Sequence, residues 1–206
     1  MMASSIFLLV AFLHVVVAAA AVERPIVSPA PRTVLYLPLD ERYTTRNAFL
    51  NLAKVGAAAY AVETPPVTML SFRKQAANLS ALDSWLEARA ANTSVVALVL
   101  SLEMYVYGGL IQSRISNATE AVVLSRLQRL VTFQQRHPHV LVYVSAVVMR
   151  IPSYNGDFEE PWYWANFGRD LFEYSFLLSR FKALHNVSDE IQAKQFAALV
   201  PPNALQ

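Results

Sequence analysis

The sequence predicts an α/β protein with a parallel sheet, either half of a (β/α)-barrel or an open doubly wound sheet. Three observations lead there. Strand-like apolar runs alternate with helical patterns along the chain, the rhythm of β-α crossover units. The central run, residues 95–100, contains no polar residue, as expected of a strand covered on both faces. Charged, aromatic and glycine residues gather directly after the runs, where α/β proteins carry their ligand-handling groups.

Taken in order, residues 33–37 read as the first strand. A short helix follows over 45–54, capped by Thr44 or Thr45, with Gly56 beyond its end. Residues 57–62 form a weaker second strand, stopped by Thr64-Pro65-Pro66. Residues 80–91 read as a helix with Leu82, Leu86 and Ala90 on one side, and 95–101 as the third strand. Residues 118–136 form a long amphipathic helix whose predicted buried face is Val123, Leu127, Leu130 and Val131. The fourth strand spans 140–149. A helix over 161–184 carries the stripe Phe167, Leu171, Tyr174, Leu178 and Phe181. Right-handed crossovers then set every strand's carboxyl end on one edge. No closing strand follows, so the α/β domain, residues 32–206, is expected to be incomplete at its C-terminus.

The 206 residues fit one domain after processing. Residues 6–21 are almost unbroken apolar sequence and close in Ala18-Ala19-Ala20-Ala21. This predicts a signal peptide over 1–21, then a leader over 22–31 holding Pro25, Pro29 and Pro31. The alternative is an uncleaved anchor, although the run is shorter than the roughly 20 residues a spanning helix needs. Asn78, Asn92, Asn117 and Asn186 each begin an N-x-S/T sequon, which predicts glycosylation on a secretory route. Four of nine Asn carry one, where chance gives about one if Ser and Thr make up roughly an eighth of residues. Localisation is accordingly expected to be secreted or in the secretory-pathway lumen, with membrane contact only if the N-terminal segment stays uncleaved.

The chain has no Cys, five Gly and a net charge of +2. Disulfide and thiolate chemistry are excluded. No phosphate-cradling glycine spacing and no Lys/Arg cluster suited to nucleic acid stand out. His137-Pro-His139 reads as a turn rather than a metal site. No cofactor and no metal are expected; the partner is a small molecule or a glycan.

The strand-end loops supply the candidate chemistry. Asp40, Glu41 and Arg42 follow the first strand, either as functional groups or as a turn with an Asp cap and an ion pair. Glu103 follows the third and is placed to act as general acid, general base or acceptor. Tyr107 leads to Gly108-Gly109, where φ > 0 and close backbone approach are available. Ser113 and Arg114 come next, Arg offering a rigid fork of donors. Arg150 follows the fourth strand and needs a carboxylate or ligand partner, for which Asp40 or Glu103 is expected. Glu159-Glu160-Pro161 reads as a helix start, beside Tyr154 and Trp162, whose rings suit sugar faces or a buried aromatic cluster.

Tyr36-Leu-Pro-Leu-Asp-Glu-Arg42, Thr64-Pro-Pro66, Leu102-Glu-Met-Tyr-Val-Tyr-Gly-Gly-Leu-Ile-Gln-Ser-Arg114 and Met149-Arg-Ile-Pro-Ser-Tyr154 with Glu159-Glu160 occur in this order. This series resembles the amino-terminal part of domain-of-unknown-function family 4127. The family often has Pro where this chain has Tyr43, and Asp where it has Glu103. The resemblance implies no established activity.

The residues lead to a glycosidase-like carbohydrate hydrolase. Asp40, Glu41, Glu103, Glu159 and Glu160 are the candidate catalytic carboxyls. Arg42, Tyr107, Gly108, Gly109, Ser113, Arg114, Arg150, Tyr154 and Trp162 are the candidate substrate contacts. The alternative is a non-catalytic ligand-binding protein or a truncated, inactive fragment.

Overall fold

The computed structural model describes residues 32–56 and 60–204. The signal peptide, the leader and the beginning of the second predicted strand lie outside the described residues. Strands β1 (Arg32–Leu37), β2 (Tyr60–Glu63), β3 (Val95–Ser101) and β4 (Leu141–Ser145) form one parallel sheet in the order β2-β1-β3-β4. That order decides between the two predicted architectures. A barrel half would keep its strands in chain order. Here the chain steps from β1 to β2 on one side and crosses back to place β3 on the other. The sheet is open, with its topological switch point between β1 and β3.

Alternation within the strands sets the layers. Leu35 and Leu37 of β1 lie opposite Leu98 and Leu100 of β3 and are fully buried. They meet Leu82, Leu86 and Ala90 of α2 (Leu79–Ala90) in one core. α3 (Leu110–Ile115) follows the loop after β3, and α4 (Glu120–Arg136) completes this layer with Phe133, Val123, Leu127 and Leu130. Val131 does not join it. It stays 48% exposed, because Phe133, two positions on and so on the opposite side of the helix, fills the core side. The opposite sheet face carries α1 (Tyr43–Gly56), where Phe49 stacks on Tyr36 at 4.2 Å.

The fourth strand is shorter than predicted. It ends at Ser145 because the Val147 N–H leaves the ladder and donates to Glu103 Oε1 at 2.7 Å. The last predicted helix also starts later, as α5 (Trp164–Leu184). Pro161 instead opens a turn whose carbonyl accepts from the Trp164 N–H at 2.9 Å. Of its predicted stripe only Leu171 is fully buried. The helix packs mainly on an unpredicted partner, α6 (Val187–Ala197), to which Arg180 Nε is tied through buried Asp189 at 2.7 Å. His137-Pro-His139 forms the expected turn, and His137 Nε2 sits 2.9 Å from Glu87 Oε2. Among the described residues no helix is long and apolar enough to cross a membrane.

Candidate functional site

The loop after β1 divides its two acids. Asp40 is buried and surrounded by donors: Arg42 Nε at 2.8 Å, Arg42 Nη2 at 2.6 Å, the Arg42 N–H at 3.1 Å and Thr45 Oγ1. This is the capped turn with an ion pair, and the hydrogen bond to Asp40 is the main cause of a raised Arg42 pKa. Glu41 turns instead toward the segment after β2. Its Oε2 accepts from Ser71 Oγ at 2.7 Å and its Oε1 from the Arg73 N–H at 3.2 Å.

Gly108 and Gly109 adopt φ values of 85° and 138°, the positive region expected of them. Their value lies in proximity. A Cβ on Gly109 would stand 2.4 Å from Gln112 Oε1 and 2.8 Å from Ser71 Oγ, so the glycine lets the β3 loop lie directly against the residue that holds Glu41. α3 then presents Gln112, Ser113 and Arg114. Ser113 Oγ donates to Leu110 O at 2.7 Å, a bond within its own helix. Arg114 reaches outward, with Nη1 2.9 Å from Glu159 Oε2 and 3.2 Å from Glu160 Oε1.

These loops enclose two neighbouring cavities. A small cleft of about 40 Å³ is lined by Asp40, Glu41, Arg42, Ser71, Arg73, Gln112 and Glu159. A wider one of about 380 Å³ is lined by Lys74, Arg114, Asn117, Asp157, Glu160, Trp162 and Tyr163. Arg114 links them, because Glu159 faces the small cleft and Glu160 the wide one. Glu160 is only 6% exposed. Burial pushes its pKa up and outweighs the opposing charges of Arg114 and Arg150, while Glu159 adds to the rise. Trp162 stays 65% exposed, with its ring edge-on to Tyr163 at 5.7 Å. A third, mainly apolar cavity of about 370 Å³ lies on the α1 side, between Tyr36, Phe49, Ser101 and Ser145.

Several predicted residues lie elsewhere. Glu103 lines neither of the two polar cavities. It is buried at the strand end, where Ser101 Oγ donates to Oε2 and the Val147 N–H to Oε1. Arg150 does not pair with Asp40 or Glu103, since Arg42, Ser101 and Val147 already occupy those acids. It is exposed, and its charge acts on Glu160. Tyr107 is half-buried against the core. Tyr154 is exposed on the loop before α5, beside Gly156. All four sequon Asn are exposed. Asn78 and Asn186 cap α2 and α6 through Oδ1, and Asn92 Oδ1 accepts from the Ser94 N–H at 2.9 Å. Three of the four sequons thus also serve backbone capping.

Sequence reasoning missed Ser71, Arg73, Lys74 and Gln112. The end of β2 does not reach the site, since Glu63 pairs with Arg89 at 3.4 Å; the segment that follows it folds back to the site instead. Gln112 lay inside the flagged stretch, yet a lone glutamine carries no signal of its own. Among the described residues no group of three or more His, Asp or Glu could hold a metal ion.

The fold and its clefts define an open doubly wound α/β protein with a polar site at the carboxyl edge of its sheet. The chain belongs to the family described as "Protein of unknown function (DUF4127)", which it matches over residues 34–206. No curated protein and no solved structure matches it.

Proposed function

We propose that this protein is a secreted or lumenal carbohydrate hydrolase of the glycosidase type, with Glu160 as proton donor. The observation that carries this reading is a buried carboxyl, its pKa raised by burial, facing a polar cavity beside an exposed tryptophan. Glycoside cleavage needs one carboxyl that keeps its proton near the leaving oxygen and a second carboxylate close by. Glu159 is that second group. Both contact one Arg114 nitrogen, close enough for paired-carboxyl chemistry, whose separations run about 5–10 Å. Trp162 and Tyr163 offer ring faces for a sugar. The apolar N-terminal run and the four exposed sequons support the secretory route.

A panel of 4-nitrophenyl glycosides tests the reading. Glu160→Gln is expected to lower kcat by about 10²–10⁴-fold. In the wild type the alkaline limb of the pH–rate profile should lie above the ordinary Glu value of about 4.3 and disappear in the variant. One observation favours a second reading, a non-catalytic ligand-binding protein. The oxygens of Asp40 and Glu103 are already engaged, so this edge offers fewer free carboxylates than its composition suggests. Glycan binding that survives Glu160→Gln, with no turnover across the panel, would select that alternative.

A further inference from the structure

We infer that Arg73 is a specificity-determining residue that binds an anionic substituent, a carboxylate or a sulfate, on the carbohydrate. The inference rests on the carbohydrate reading above and narrows its substrate to acidic sugars. Arg73 sits at the tip of a two-residue turn closed by paired backbone bonds between Phe72 and Gln75, at 3.0 and 2.9 Å. Its φ is 51°, the left-handed region that Gly, Asn or Asp fills at low cost and a long side chain does not. The turn is nonetheless held there from two sides. Glu41 accepts from the Arg73 N–H, and Gln112 Nε2 donates to the carbonyls of both Arg73 and Gln75 at 2.8 Å. Gln112 is itself only 6% exposed. A buried amide and a cleft carboxylate are thus committed to holding an arginine where a turn would select glycine.

The guanidinium explains that commitment. It lies over the Phe72 ring at 5.5 Å, and the residue lines the small cleft. The acids around it are already matched: Asp40 with Arg42, Glu159 with Arg114, and Glu41 with Ser71 and the Arg73 backbone. Among the described residues, the Arg73 guanidinium makes no ion pair within 4.0 Å. A fixed fork of donors without an internal acid matches a planar carboxylate or a sulfate. Strain retained at such a position is a mark of function.

Thermal melting of the full chain tests this, with glucuronate, glucose 6-sulfate, glucose and sodium sulfate compared at equal ionic strength. The wild type should be stabilised more by the two acidic sugars than by glucose. Arg73→Gly and Arg73→Asn should each lose that difference while melting about 2–4 °C higher than the wild type, because the strain is relieved. Glucuronate against glucose 6-sulfate separates a carboxylate from a sulfate preference. Sugars that are all silent, beside a sulfate shift larger in the wild type than in Arg73→Asn, would uphold the anion site and count against carbohydrate. An acidic-sugar preference that persists in both variants, no anion-dependent difference at all, or variants that melt lower than the wild type would overturn the assignment.

Discussion

At the scale of single residues, the site depends on atoms that are missing as much as on groups that are present. Gly109 shows this most clearly. Its backbone sits at φ 138°, and any Cβ would meet Gln112 Oε1 and Ser71 within 2.8 Å. Gly109→Ala is therefore expected to cost about 1–3 kcal/mol, read as a lower urea midpoint. It should also loosen the Ser71–Glu41 contact. The glycine pair was legible in the sequence because few residues tolerate such a turn. What it approaches was not, because Ser71 lies 38 positions earlier and no local pattern links the two. The same limit explains Asp40 and Glu41. They are adjacent, yet a turn sends one to Arg42 and the other to Ser71 and Arg73. A run of acids does not reveal which of them the backbone will consume.

At the scale of elements, the β4–α5 connection is held by a few hydrogen bonds rather than by a core of its own. Glu103 anchors its start through the Val147 N–H. Asn155 Oδ1 accepts from the Arg169 N–H at 2.9 Å, and the Gly156 N–H donates to Trp164 O at 3.0 Å. Glu103→Ala would leave Ser101 and Val147 without their buried acceptor, a loss of about 1–3 kcal/mol. Hydrogen exchange should accelerate at Val147 and along residues 146–160, while β1 stays protected. Glu103 is thus a positioning residue for the segment that carries Glu159 and Glu160. Its place at a strand end was readable from the apolar run before it. Its role was not, because a strand-end carboxylate that binds a loop and one that binds a ligand have the same sequence.

At the scale of the whole molecule, the parallel alternation was legible because two periodicities, 2.0 and 3.6, leave separate marks. The strand order was not, since periodicity says nothing about which strands become neighbours. Nor was the hairpin of α5 and α6, whose mutual burial replaces packing on the sheet. Long-range charge pairs lock the helical layer on the well-covered face. Asp83 of α2 holds Arg126 at 2.8 Å and Arg129 at 2.7 Å from α4. Arg126, itself buried, also donates to Tyr105 O at 2.9 Å and lies 5.0 Å from the Tyr105 ring centre. Burial there pushes the Tyr105 phenol up to about 12. Asp83→Ala would strand the buried guanidinium without its acid, and a loss of about 3–5 kcal/mol is expected in equilibrium denaturation.

The caps on α2 and α6 bear on how glycosylation should be tested. Asn78 and Asn186 spend Oδ1 on the helix amides at Ala81 and Ser188, while a glycan is attached through the amide nitrogen. Cap and sugar can therefore coexist on one side chain. The customary Asn→Gln knockout would remove both at once and confuse a lost sugar with a frayed helix. Ser80→Ala and Ser188→Ala abolish the sequons and leave the capping oxygens in place, at the cost only of the exposed hydroxyl bonds to Asn78 Oδ1 and from Gln192 Nε2, so a fall in secretion they cause would not be that of a lost cap.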